Sequence, residues 1–424
     1  MPASEPAAAP PPQEPPPQEP PPVPLTPSAL PPLALYVHFP WCVRKCPYCD
    51  FNSHALHDAP PEEAYGAALL TDLASQAPLA ADRTVRSIFF GGGTPSLFAP
   101  AALARLLTGV RRHLQVAADA EITLEANPGT IERGRFLDYR DAGINRVSLG
   151  AQSFEPAHLQ ALGRIHDVAD TYRAVAELTA AGIVNFNLDL MYALPQQTFA
   201  QALGDVKAAI ALAPAHISHY QLTLEPGTVF GGRPPAGMPE PDAAADMQLA
   251  CQDALAQAGY VQYEVSAYAR AGACCRHNLN YWQFGDYLGI GAGAHGKRSE
   301  RRGAALRIER SVREREPRRY LAGFAGRVGL PNGGGAPPRE VPLADLPFEF
   351  MMNALRLVAG FEAHEFEART GLGFQVLSQP LGRARARGLI GHDAGRWRAT
   401  PLGFNFLNDL LGEFLNPAPP TSGH

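Results

Sequence analysis

Tyr36-Val-His-Phe-Pro-Trp-Cys-Val-Arg-Lys-Cys-Pro-Tyr-Cys-Asp-Phe51 is the stretch that decides the fold. An apolar run enters a tight loop that sets Cys42, Cys46 and Cys49 in a C-x3-C-x2-C spacing. Three thiolates on one loop can hold three irons of a cubane cluster and leave the fourth open to a small molecule. Two other readings use the same residues. One is a structural zinc site completed by His38 or His54; the other is a C-x2-C redox pair of Cys46 and Cys49.

The next apolar run bears on that choice. Ser87-Ile-Phe-Phe-Gly-Gly-Gly-Thr-Pro-Ser96 reads as a buried strand entering a triple-glycine turn, where bare backbone can approach a ligand closely. Taken in this order, the two motifs resemble the radical S-adenosylmethionine (SAM) superfamily. That resemblance implies an open iron that chelates the amino and carboxylate groups of SAM, with the glycine strand holding the amino end.

Outward from these motifs, short β-branched or aromatic runs alternate with longer helical patterns. This is the rhythm of a parallel sheet. The pattern predicts strands over 35–39, 85–90, 122–126, 146–149, 184–190 and 216–222. Helices are predicted over 61–77, 99–114, 131–142, 168–181 and 198–212, with Gly143 and Gly182 suited to C-caps. Six such units make an α/β fold, an incomplete (β/α)6 barrel. Ligands in such sheets gather at the carboxyl ends of the strands, and those ends are polar here. Glu125, Gln152 and Asp189 are candidates to accept hydrogen bonds from ribose hydroxyls, and Arg164 to clamp a carboxylate. Helix capping or bridging to neighbouring cations would explain Glu125 and Asp189 equally well.

The order of C-x3-C-x2-C, GGGTPS, LEANPG, SLGAQSF, LGRIH and DLMYALPQQT is similar to the coproporphyrinogen III oxidase-like radical SAM family, over nearly all of the chain after residue 32. By resemblance, Tyr36, Tyr48, Gly92, Gly93, Thr94, Glu125, Gln152, Arg164 and Asp189 contact SAM, and Cys42, Cys46 and Cys49 hold a [4Fe-4S] cluster. The oxygen-independent coproporphyrinogen III dehydrogenases of this family, which decarboxylate their substrate, carry a fourth cysteine where this chain has Phe51. Phenylalanine supplies no thiol, so that activity is the alternative and is not expected. The haem chaperone branch usually has phenylalanine there. Arg276-His-Asn-Leu-Asn-Tyr-Trp282 resembles the haem-associated H-N-x-x-Y-W motif of that branch. His277 is therefore a candidate haem ligand, with Tyr281 and Trp282 offering flat surfaces to a porphyrin. A core histidine in a strand-to-loop turn is the plainer account of the same residue. The expected function is binding haem, one [4Fe-4S] cluster and SAM, and passing haem to an acceptor protein.

The rest of the chain sets bounds. The net charge of -5 over 424 residues gives no electrostatic case for nucleic acid. Six cysteines, three of them clustered, make no disulfide framework and fit a reducing cytoplasm. No apolar run is long enough to cross a membrane, which leaves peripheral association open. Residues 1–32 contain 15 prolines and read as a disordered or polyproline II tail without the features of a signal peptide. Residues 33–296 are the expected barrel. Residues 297–319 carry ten Lys or Arg and four Glu, and read as a solvated hairpin or loop. They belong to a connecting segment and linker over 297–340, glycine- and proline-rich from 326 to 338. Residues 341–424 show three helices and a hairpin turning at 393–395, a winged-helix-like module that ends in one amphipathic helix over 402–414. The glycine run over 287–296 lacks the context of a dinucleotide fingerprint, and His295 has no assigned role. Cys274 and Cys275 read as free thiols and Cys251 as core.

Overall fold

The computed structural model describes residues 29–56, 58–80, 82–130, 135–302, 305–324 and 335–415. The proline tail to residue 28 and the linker over 325–334 lie outside them. A mixed sheet organises the chain. Its strands are β1 (Leu33–Phe39), β2 (Thr84–Gly92), β3 (Gln115–Ala126), β4 (Arg146–Gln152), β5 (Phe186–Tyr192), β6 (His216–Gln221), β7 (Val261–Glu264), β8 (Ala267–Ala269), β9 (Asp286–Ile290), β10 (His295–Arg302), β11 (Ala305–Val312) and β12 (Arg339–Glu340). They lie in the order β12-β11-β10-β9-β1-β2-β3-β4-β5-β6-β8-β7. Strands β1 to β6 are parallel, as their helical crossovers require, and the sheet curves into an unclosed barrel.

Alternation assigns the two faces. Leu35, Val37 and Phe39, with Ile88, Phe90, Ile122 and Leu124, join the hydrophobic core that also takes Tyr65, Leu69 and Leu73 of the first helix, Glu62–Gln76. The intervening residues turn inward: Tyr36, His38, Ser87, Phe89, Glu121, Thr123, Glu125, Ser148, Asn187 and Asp189. The connecting helices stop where the sequence says. After Arg135–Ala142, Gly143 takes φ +110, its N–H returns to the Arg140 carbonyl, and that of Ile144 returns to Tyr139.

Four expectations need correction. Strand β3 begins seven residues early, at Gln115, because its first turns pair with the start of β2. The H-N-x-x-Y-W segment is a helix, Arg276–Trp282, not a turn. Much of the charged segment is the hairpin read there, β10 and β11, but it extends the main sheet instead of only connecting, and β9 pairs in parallel with β1. Its charges are not all solvated. Lys297 Nζ and Arg83 each lie 2.9 Å from an Asp286 oxygen, and Arg313 lies 3.0 Å from Asp72, all with buried partners. The expected terminal helix breaks at Phe406 into Pro401–Asn405 and Leu407–Gly412, which leaves Phe406 exposed while Leu410 and Phe414 enter a second core. That core joins Phe284, Leu306 and Ile308 to the C-terminal module of helices Leu346–Ala354, Ala363–Thr370 and Ser378–Ala386 with a three-stranded sheet. Its hairpin turns on Ala394 and Gly395, both at positive φ, as a two-residue loop demands.

Candidate functional site

A cavity of about 390 Å³ opens at the carboxyl ends of the parallel strands. The cysteine loop forms one wall, with Cys42, Cys46, Tyr48 and Cys49 all lining it. The thiols are free. The loop is fixed from several sides. Leu56 and His54 return N–H groups to the Cys42 and Pro40 carbonyls, and the Gly93 and Thr94 N–H groups donate to the Phe39 and Trp41 carbonyls at 2.7 Å. Among the described residues, no three His, Cys, Asp or Glu side chains converge as ligands of one metal ion. His38 is also committed elsewhere: Nε2–H donates to the Asn52 carbonyl and Nδ1 accepts from the Tyr36 hydroxyl, both at 2.9 Å. A cubane asks for one thiolate per iron rather than convergence, so the three cysteines suit it better than zinc.

The glycine turn also packs closely against the chain itself. Gly92 has φ +110, and a Cβ there would sit 2.5 Å from His38 Nδ1; one on Gly93 would sit 2.7 Å from the Phe39 carbonyl. Bare backbone is therefore needed to pack the turn against His38 and the root of the cysteine loop. Their N–H groups are used within the protein, that of Gly92 donating to Glu125 Oε2 at 3.0 Å.

Across the cavity stand Glu125 and Asp189. Burial, then the charge of Asp189, pushes the Glu125 carboxyl up to about 8 against the pull of the Gly92 N–H. Asp189 is also raised by burial, although Asn187 Nδ2 and Ser148 Oγ donate to it at 2.8 and 3.0 Å. Arg164 reaches in from the loop after the helix Pro156–Ala161. It donates to the Gly150 carbonyl at 2.9 Å and to Asn127 Oδ1, and lies 3.6 Å from Cys46 Sγ. Burial would lower its affinity for the proton, but Tyr48 and Cys46 outweigh that and hold the guanidinium charged. Gln152 sits in the left-handed region at φ 66, just past a register shift in the pairing of β4 with β5, and pairs with Leu190. A strained residue at a strand end is a common mark of a site.

The fold thus gathers Cys42, Cys46, Cys49, Tyr48, Gly92, Gly93, Glu125, Gln152, Arg164 and Asp189 around one cavity. Tyr36 and Thr94 stand behind its lining. Thr94 is buried, accepts from Asn127 Nδ2 at 2.9 Å and bonds Cys42. Sequence reasoning missed Asn127, Ser148 and Tyr220 as lining residues. Strand alternation could have found Ser148 and Tyr220, which share the inward phase of Gly150 and of Ser218.

Comparison with known proteins agrees with this geometry. The Radical SAM superfamily model matches residues 36–208, and the HemN C-terminal domain model matches residues 341–406. The chain is 50% identical over 383 residues to the heme chaperone HemW of Escherichia coli (strain K12), covering 90% of this chain and 98% of that protein. It is 47% identical to the HemW of Haemophilus influenzae, with the same coverage. The chain belongs to the HemW family. Escherichia coli coproporphyrinogen III oxidase (HemN) superposes with a TM-score of 0.75 over 92% of this chain and 91% of its own, at 23% identity, a likeness of fold alone.

His277, the candidate haem ligand, is a buried residue of the helix Arg276–Trp282. The helix Arg276–Trp282 lies inside the barrel, and Glu121 caps it by accepting from the Arg276 and His277 N–H groups at 3.1 Å. His277 is buried and stacked 4.9 Å from Phe89, with Nδ1 bonded to Ser87 Oγ and Nε2 to the Tyr281 hydroxyl, each at 3.1 Å. Both ring nitrogens are thus engaged within the protein. No described helix is long and apolar enough to cross a membrane.

Proposed function

We propose that this protein binds haem and passes it to an acceptor protein, with a [4Fe-4S] cluster on Cys42, Cys46 and Cys49 and SAM in the adjoining cavity. The observation that carries the reading is the 50% identity to a heme chaperone over 98% of that relative's length. The cavity supports the cofactor part. Three free thiols share one wall with a charged guanidinium 3.6 Å from Cys46, and two carboxylates stand opposite. When bound, the cluster supplies a one-electron donor and an open iron. The chain's own residues do the rest. Arg164 offsets the negative charge of the thiolates and lies where a carboxylate can pair with it. Glu125 and Asp189 accept hydrogen bonds from hydroxyls, and the backbone carbonyls of the glycine turn offer acceptors to an ammonium group. Phe51 lines the same cavity without a thiol, so decarboxylation of coproporphyrinogen is not expected.

The test is anaerobic reconstitution of the full chain, followed by titration with haem in one portion. A second portion receives SAM, reductant and coproporphyrinogen III. Stoichiometric haem binding, seen in the Soret band, with no protoporphyrinogen by mass spectrometry is the expected result. Porphyrinogen product would establish the alternative. Cys42→Ser protein should lose the iron and the cluster absorption, and full iron content in that variant would remove the ligand assignment.

A further inference from the structure

Each of the three cysteine sulfurs in the cavity wall has a polar neighbour. Cys46 is met by Arg164 at 3.6 Å and by the Tyr48 hydroxyl. Cys42 is met by the hydroxyls of Thr94 and Ser53, and Cys49 Sγ lies 3.5 Å from Ser53 Oγ. Ser53 therefore stands against two of the three sulfurs with one hydroxyl. It lines the cavity yet is only 4% exposed. Between a thiol and a hydroxyl either group can donate. A sulfur that ligates iron has lost its proton, so in the loaded protein the Ser53 hydroxyl is the donor, its single proton directed to one sulfur or shared by both.

The backbone that carries this hydroxyl is clamped on both sides. On one side Asn52 Nδ2 donates to the Ala292 and Arg315 carbonyls at 2.9 and 2.8 Å, and the Asn52 carbonyl accepts from His38 Nε2 at 2.9 Å. On the other the His54 N–H donates to the Pro40 carbonyl at 2.7 Å, and the Ser53 N–H itself donates to the Phe51 carbonyl at 2.7 Å. The glycine run over 287–296 makes room for this clamp. Gly293 sits at φ +82, and a Cβ there would collide with the Asn52 amide. A turn more than two hundred positions away thus fixes where the Ser53 hydroxyl stands.

Hydrogen bonds to the sulfurs are one of the levers that set the potential of an iron–sulfur cluster. Reduction adds one negative charge that the thiolates share, so a donor at sulfur stabilises the reduced form more than the oxidised one. We propose that Ser53 tunes the cluster: its hydroxyl donates to the Cys42 and Cys49 thiolates and raises the reduction potential, held in place by Asn52 and the 291–293 turn. The inference rests on the reading of Cys42, Cys46 and Cys49 as cluster ligands. The affected step is the gain of one electron by the oxidised cluster from an external reductant, with no bond of the chain made or broken.

The test uses the full chain, reconstituted anaerobically and titrated with dithionite in the presence of redox mediators, with the reduced cluster followed by electron paramagnetic resonance. Ser53→Ala at the parent's iron content should be harder to reduce by about tenfold in the equilibrium, about 59 mV for one electron. Ser53→Thr keeps the hydroxyl and should stay within about threefold of the parent. Asn52→Ala leaves every atom beside the sulfurs but frees the backbone under Ser53, and should move the potential in the same direction as Ser53→Ala. A Ser53→Ala potential equal to or above the parent's overturns the proposal, and so does a Ser53→Thr protein that shifts as far as Ser53→Ala. If Ser53→Ala takes up too little iron to titrate, Asn52→Ala decides by the same criterion. Parent protein that takes up no iron would remove the cluster reading itself, an outcome distinct from a cluster whose potential ignores Ser53.

Discussion

Glu125→Gln tests the electrostatics of the cavity directly. In the ligand-free protein, burial and then the neighbouring Asp189 push this carboxyl from 4.5 up to about 8. A carboxyl that titrates higher when folded keeps its proton in the native state while the unfolded chain has released its own. Its contribution to stability therefore falls as pH rises from 4.5 to about 8 and stays low above that. At about 1.4 kcal/mol per tenfold change in proton affinity, the ceiling of that loss is ~5 kcal/mol. Glutamine can keep an acceptor for the Gly92 N–H but brings an amide N–H that lacks a partner, at a cost of ~1–3 kcal/mol. The variant should thus be more stable than the parent by ~2–4 kcal/mol at pH 8.5 and no more stable at pH 5. Urea unfolding of metal-free protein at a series of pH values measures this. A difference between variant and parent that does not change between pH 5 and pH 8.5 would refute the reasoning. Glu125→Gln should at the same time weaken SAM binding in the reconstituted protein, so that stability and affinity move in opposite directions.

Two further substitutions probe what holds the site. Gly92→Ala places a methyl group against the His38 ring at a backbone φ that alanine resists, so it should cost ~2 kcal/mol or more and lower the iron taken up on reconstitution; full iron uptake with parent stability in urea would contradict the packing role of that glycine. Lys297→Met removes one of two cations from the buried Asp286, whose carboxyl burial would raise but Lys297 and Arg83 hold down. A loss of ~3 kcal/mol is expected in denaturant unfolding, and a neutral result would mean that Arg83 alone suffices.

Legibility in the sequence followed the range of the interactions. Strand β1, the cysteine loop, the C-cap at Gly143 and the hairpin at Ala394-Gly395 were readable because each is set by neighbours a few residues apart. The charged stretch after residue 296 misled for the converse reason. Its composition shows ten cations, but whether Lys297 and Arg313 are solvated depends on Asp286 and Asp72. Asp72 is more than two hundred positions away. Thr94 and Tyr36 show the same limit at the site itself: both belong to readable motifs, yet one turns to Asn127 and Cys42 and the other to His38, behind the wall instead of on it.

The sequence by itself determined the parallel α/β architecture and the cysteine and glycine motifs, because side-chain alternation, helical period and loop spacing are local and each strand carries its own. It also specified the chemistry at the strand ends, where a parallel barrel must put it. Only the tertiary structure decided that the glycines pack against His38, that β9 to β11 extend the barrel, and that the helix over 276–282 lies inside it. Those outcomes rest on contacts such as Ser87 with His277 and Asn52 with Ala292, between residues about two hundred positions apart. Pattern along the chain carries no information on which distant partner a buried polar group will meet.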